Sequence, residues 1–244
     1  MTTATAAAAP ARAGRELAFR ILSLVGALVV AVALVIQITL LLTGGADANS
    51  GATTAVVGLP VRFVRLFSYF TIDSNIAVMI VGFLLAANPN RTSRLWQVAR
   101  LNALLAITIT GIVFDVVLSK SVHLTGGALV ATILLHYISP WWTVAVWLLF
   151  GPRPGFGWAT IPGAFVLPVL WLLYTFVHGG ITGWYPYPFL DASKIGLGPA
   201  VVASLLVLVI GLVLAVVFVL VSTRVPALIA GPPATSEASR STGR

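Results

Sequence analysis

Residues 198 to 222 pass without one charged side chain, and apolar runs of similar length recur along the whole chain. About 20 consecutive apolar residues in a helix are enough to cross the hydrocarbon core of a bilayer. The pattern predicts an all-α integral membrane protein, a bundle of six transmembrane helices. The spans run roughly from Glu16 to Thr43, Phe63 to Ala87, Leu101 to Ser119, Gly127 to Phe150, Trp158 to His178 and Gly198 to Ser222. The overall balance agrees: 59% of the residues are hydrophobic and 8% are charged, far from the mix of a soluble domain. The first span is longer than the ~7–15 apolar residues of a secretory signal and is read as a retained helix. Residues 1–15 and 224–244, rich in Ala, Ser, Thr, Pro and Arg, offer too little apolar surface to fold and are expected to be disordered tails around a transmembrane domain over 16–223.

The net charge of +8 does not point to nucleic acid, because the basic residues sit between the apolar runs rather than on one face with interleaved aromatics. Their distribution sets orientation instead. Arg12, Arg15, Arg20, Arg91, Arg94, Arg100, Arg153, Arg224, Arg240 and Arg244 fall on one side, against Arg62, Arg65, Lys120 and Lys194 on the other. The excess side is cytoplasmic by the positive-inside rule, so both termini are expected in the cytoplasm of a multipass protein of the cell membrane. Trp96, Trp147, Trp158 and Trp184 lie near predicted span ends and are expected as interfacial anchors. No internal repeat or pair of broken half-helices marks a transporter built from repeats.

Chemistry must come from a short list, since the chain has no cysteine, three histidines and six carboxylates. Thiolate nucleophiles and cysteine metal sites are excluded, and neither a metal nor another cofactor is expected. A rise of ~1.5 Å per residue converts position into depth. On the second span Thr71 lies about 9 Å and Asn75 about 15 Å from the Arg65 end; on the third, Asp115 lies about 8 Å and Thr110 about 15 Å in; on the fourth, His136 lies about 14 Å in. Tyr174, Thr175 and His178 close the fifth span. Four helices therefore carry polar groups in the outer half of the bilayer, where such groups face the bundle interior or a wet cavity. Thr71 and Asn75 share a helical face, whereas Asp73 points roughly the other way and suits a hydrogen-bonded strut to a neighbouring helix. Asp115 and His178 are candidates to orient an imidazole, and Asn75 to stabilise an oxyanion. Without cysteine, a nucleophile has to be a hydroxyl, amine or carboxylate, and a hydroxyl needs a base beside it. Thr71 and His136 are such a pair at comparable depth.

Three segments carry a resemblance: FTID at 70–73, LLHYISP at 134–140 and VHGGITGWYPYPFLD at 177–191. They are similar, in order and spacing, to signature segments of the androgen-induced and androgen-dependent membrane protein family, and the chain looks like a bacterial relative. Animal members are multipass threonine hydrolases acting on fatty acid esters of hydroxy fatty acids. The resemblance implies Thr71 as nucleophile and His136 as base, with membrane lipids and a lipid ester as partners and no cofactor. One spacing departs from the family, because His136 stands four residues before Pro140 and the animal proteins have one residue more. The 182–191 segment reads equally as a lid or as a rigid Pro-containing connector.

Other classes stay open on the sequence alone. A haem or quinone protein is one, since paired membrane histidines commonly ligate haem, but the depths of His136 and His178 differ by at least ~10 Å, which disfavours bis-histidine ligation. A small transporter or lipid-binding protein without catalysis is compatible with Asp73 and Asp115 as a proton or cation site. A rhomboid-type protease would need a Gly-x-Ser-Gly element, which is missing.

Overall fold

The computed structural model describes residues 3–152 and 156–229. Among these residues the chain is helical apart from one isolated bridge between Ala46 and Thr53. Six helices are long and apolar enough to cross a membrane: Arg12–Thr43, Phe70–Ala87, Arg94–Ser121, Gly126–Leu149, Trp158–Thr182 and Leu197–Arg224.

The first belongs to α1 (Thr3–Thr43). Its helical assignment reaches back into the segment expected as a tail, where an Ala-rich run has the highest intrinsic propensity to prolong a helix already formed. At the other end of the chain Ile229 is buried and donates its N–H to the Phe150 carbonyl, so the chain beyond Arg224 folds back before 230–244, which lie outside the described residues. The expected second span is two helices, α2 (Leu59–Phe67) and α3 (Phe70–Ala87), separated at Ser68 and Tyr69. The third begins earlier than Leu101. Ser93 caps α4 (Arg94–Val113) by accepting from the Trp96 N–H, and Arg100 becomes a buried residue that donates to the Pro152 carbonyl and lies over the Phe19 ring. That internal partner explains how a charge expected outside the span is tolerated within it.

α4 is the centre of the bundle. Every residue from Arg100 to Gly111 is buried, as an element surrounded on all sides requires. It packs against α3, α6 (Ser139–Leu149), α7 (Ile161–Thr182) and α9 (Leu197–Arg224), while α1 runs along α3 and α5 (Gly126–Thr132). The outward faces of α1, α7 and α9 present Val32, Val35, Leu170, Leu173, Leu205 and Val209, apolar residues suited to lipid contact. Two of the expected tryptophan anchors belong to the core instead: Trp96 and Trp147 are buried, Trp147 against Phe156 and Phe218, because the helices carrying them are covered by neighbours at those points.

Two spans widen into π-turns, at Phe114–Leu118 after α4 and at Ile133–Ile138 between α5 and α6. Pro140 accounts for the second, since its ring cannot coexist with a regular turn ending on the residue 136 carbonyl. Gly111 on α4 allows that turn to be approached: a Cβ there would stand 2.9 Å from Pro140 Cβ and 3.5 Å from the His136 carbonyl oxygen. Replacement by Ala gains about 1 kcal/mol in helix propensity against an overpacking cost of about 1–3 kcal/mol, a net effect between about zero and about 2 kcal/mol of destabilisation. Gly111→Val adds bulk with a smaller propensity gain. It is expected to lower the thermal midpoint of the detergent-solubilised protein by several degrees, measured by circular dichroism; an unchanged midpoint would show that Pro140 can yield.

Candidate active site

The break between α2 and α3 has no proline or glycine in it, and it is held from outside. Trp171 on α7 donates its Nε1–H to the Ser68 carbonyl at 3.1 Å, and the Tyr174 hydroxyl lies 2.7 Å from Ser68 Oγ. A new helix therefore starts at Phe70, and Thr71 falls in its first turn, where amides have no carbonyl within their own helix. The Thr71 N–H donates to the Tyr187 hydroxyl at 3.1 Å.

The Thr71 side chain is buried, with Oγ1 3.2 Å from His136 Nε2 and 3.1 Å from the Tyr187 hydroxyl. His136 sits in the π-turn, and its Nδ1 lies 3.2 Å from the Thr132 carbonyl oxygen. A carbonyl only accepts, so Nδ1 carries the hydrogen and Nε2 presents its lone pair. Thr71 O–H then donates to Nε2, and the Tyr187 O–H, itself accepting from the Thr71 amide, donates to Thr71 Oγ1. One direction of donation satisfies the chain from Tyr187 to Thr132. The imidazole is stacked on Phe114, with centroids 3.9 Å apart and planes at 24°, which fixes the ring from the π-turn that follows α4.

Asn75 locks the two helices that carry the pair. Its Nδ2 donates to the Thr71 carbonyl at 2.8 Å and to the Leu135 carbonyl at 3.1 Å, so α3 is tied to the residue preceding His136. Both amide hydrogens are thereby used, and Asn75 is a positioning residue rather than the oxyanion donor expected from the sequence. Ser74 adds a second tie, bonding the Thr71 carbonyl at 3.0 Å and Thr110 Oγ1 on α4 at 2.8 Å.

Three expected members are elsewhere. Asp115 is exposed on the π-turn after α4, with its carboxylate accepting from the Tyr137 hydroxyl at 3.4 Å, so a backbone carbonyl and not a carboxylate orients the imidazole. His178 stacks on Tyr174 and meets the edge of Trp184, away from Thr71. Asp73 does point away from Thr71, but it is no strut: the side chain is exposed in the first turn of α3, where a helix N-terminus favours a carboxylate, and it faces a groove lined by Phe67, Leu170, Trp171 and Tyr174. With both His136 nitrogens engaged by protein groups, axial ligation of haem is disfavoured. Among the described residues no group of three or more His, Cys, Asp or Glu side chains clusters to hold a metal.

Tyr187 is the site residue that the sequence reading missed. It lay within the Tyr-Pro-Phe-Leu segment, which read equally as a lid or a rigid connector and gave no role to this tyrosine. Pro188 starts a short 3-10 turn over Pro188–Leu190, Leu190 is buried, and Asp191 caps α8 (Ala192–Ile195) and pairs with Lys194 at 3.0 Å, which anchors the loop. The Tyr187 ring is surrounded by Tyr69, Trp171 and Phe189 at centroid distances of 5.5–5.9 Å. Burial, the largest influence, pushes its proton affinity above that of a free phenol, so the hydroxyl remains a donor.

A cleft opens beside this group, between α3, α4, α7 and α9. It encloses about 660 Å³ with its open side included, and Thr71 and Tyr187 meet it where Phe114, Leu118, Trp171 and Leu208 form its apolar walls. Comparison with family models, curated proteins and solved structures returns no match to this chain.

Proposed function

We propose that the chain is an intramembrane lipid-ester hydrolase in which Thr71 is the nucleophile, His136 the general base and Tyr187 the oxyanion donor. The observation that carries this reading is a buried hydroxyl 3.2 Å from an imidazole nitrogen whose lone pair is aimed at it, at the edge of an apolar cleft. The segments FTID, LLHYISP and YPYPFLD, which resemble the threonine hydrolases of the androgen-induced and androgen-dependent family, support the same assignment.

In the first half-reaction Thr71 Oγ1 forms a bond to the ester carbonyl carbon while its proton passes to His136 Nε2. The carbonyl oxygen becomes an oxyanion and takes the Tyr187 hydrogen bond, which Thr71 Oγ1 gives up as it attacks. The positive end of α3 lies at the same place. As the tetrahedral centre collapses, the C–O bond to the alcohol breaks and His136 returns the proton to the leaving oxygen. Water, deprotonated by the freed Nε2, then cleaves the acyl-threonine and restores the hydroxyl. Imidazolium and oxyanion form and vanish as a contiguous pair, so a site without a carboxylate never holds an isolated charge.

The apolar cleft suits an acyl chain entering from lipid, which favours fatty acid esters of hydroxy fatty acids or related lipids as substrates. The ten-to-four charge bias puts the site toward the extracytoplasmic half of the cell membrane. The reading is tested with protein purified in an uncharged detergent, a fluorophosphonate probe and a panel of lipid esters. Expected are a labelled peptide containing Thr71 and turnover of at least one ester. Tyr187→Phe should lower kcat by about 10²–10³-fold, the usual effect of losing one oxyanion donor, with a smaller change in KM. Absence of both labelling and turnover in the wild-type protein would end the proposal.

A further inference from the structure

α2 is amphipathic in an unusual sense. Leu59, Val61, Val64 and Phe67 are turned outward, each 44–50% exposed, while Arg62 and Arg65 face into the protein. At a membrane surface the long arginine side chains would ordinarily reach out to water and lipid head groups. Here they line an open cavity, about 410 Å³ with its open side included, between α2 and the segments on either side of it, together with Ser50, Thr53, Thr54 and Trp184.

The two guanidinium groups are held there differently. Arg62 is fixed by its own backbone bonds, Nε to the Val57 carbonyl at 2.8 Å and Nη1 to the Leu41 carbonyl at 3.0 Å. The Arg65 guanidinium carbon lies over the Trp184 ring, 5.1 Å from its centroid, and the buried Nε has no hydrogen bond. Among the described residues neither forms an ion pair. Asp47, the one carboxylate on the cavity wall, accepts from Gln37 Nε2, the Asn49 and Ser50 amides and Ser50 Oγ. Counted as fully ionised, it offsets one of the two positive charges. What is left is a net cationic cavity with an arginine set over an indole ring and carrying a buried Nε–H without a partner, an arrangement suited to planar or tetrahedral oxyanions.

We propose that this cavity binds the ionised head group of an anionic amphiphile, a carboxylate or a phosphate monoester, through Arg62 and Arg65. The apolar outer face of α2 sets the cavity beside the lipid phase, where the chain of such a molecule has somewhere to lie. Tyr69 forms the partition between this cavity and the threonine site, its ring edge-on to both Trp184 and Tyr187 at 5.7 Å. The site stands whether or not Thr71 is a nucleophile.

The test uses full-length protein in maltoside micelles, cis-parinaric acid as the anionic amphiphile and its methyl ester as the uncharged counterpart, with binding read by energy transfer from tryptophan. Expected is saturable binding of the acid at least about tenfold tighter than of the ester, since a charge-assisted hydrogen bond is worth that much. Arg65→Gln should bring the acid to the affinity of the ester, Arg65→Lys should recover part of the difference, and Thr71→Ala should leave it intact. Dodecyl phosphate should displace the acid, and inorganic phosphate alone should fail to do so. Equal binding of acid and ester to the Thr71→Ala protein, in which the ester cannot be hydrolysed by that residue, overturns the proposal, as does an Arg65→Gln protein that still prefers the acid. Displacement by inorganic phosphate as effective as by dodecyl phosphate would overturn the amphiphile and leave a free-anion site.

Discussion

Thr71→Ala is expected to abolish probe labelling and to lower ester turnover by at least about 10⁴-fold, the scale on which loss of a nucleophile registers in hydrolases. The side chain has no second hydroxyl to replace it: Ser74 is committed to the Thr71 carbonyl and Thr110, and the Tyr187 hydroxyl has no base within reach in the hydrogen-bond chain. The substitution also leaves the Tyr187 hydroxyl and His136 Nε2 each short of a partner, which costs about 1–3 kcal/mol per buried group. Circular dichroism and size-exclusion chromatography separate that effect from catalysis. Thr71→Ser should retain labelling, because Oγ survives and only a methyl group is lost. A labelled Thr71→Ala protein would remove Thr71 from the mechanism.

His136→Gln is expected to lower turnover by about 10²–10⁴-fold, the contribution of a general base, at nearly unchanged KM. Glutamine keeps a planar polar group against Phe114 and a donor toward the Thr132 carbonyl, so the π-turn should persist. What it cannot do is accept a proton from Thr71 and return it to the leaving alcohol. Probe labelling should fall with turnover, since labelling also requires a deprotonated threonine. Full activity in this variant would shift the search to another base, and His178, stacked between Tyr174 and Trp184, is the remaining histidine of the spans.

The parts of the fold that were legible in the sequence are those that composition alone dictates. Lipid-length apolar runs gave six spans; the third begins earlier because Arg100 finds the Pro152 carbonyl, and the second is shortened by a break. The break at Ser68–Tyr69 was illegible because no residue there disfavours a helix; Trp171 and Tyr174, a hundred positions away, impose it. Thr71 and His136 were legible as a pair because similar depth on two spans is computed from residue counts. The direction of a side chain around a π-turn is not, which is why Asp115 was assigned to the imidazole and is instead exposed beside Tyr137. Asn75 was recognised as sharing the face of Thr71, yet its donors serve backbone carbonyls that no sequence pattern marks. Tyr187 stood in a quoted segment, and its role became visible only when the loop was seen folded onto the start of α3.

The externally imposed break has a consequence for how the surroundings of the Thr71 hydroxyl come into being during assembly. A nascent chain that has inserted only its first four spans contains both Thr71 and His136, but not Trp171, Tyr174 or Tyr187. Residues 59 to 87 are then free to continue as one uninterrupted rod, with the threonine amide tied into it and the side chain uncommitted. The arrangement around Thr71 is completed only when the fifth span and the loop after it arrive and that rod is broken, so the hydroxyl and the imidazole would enter the membrane first and acquire their geometry later.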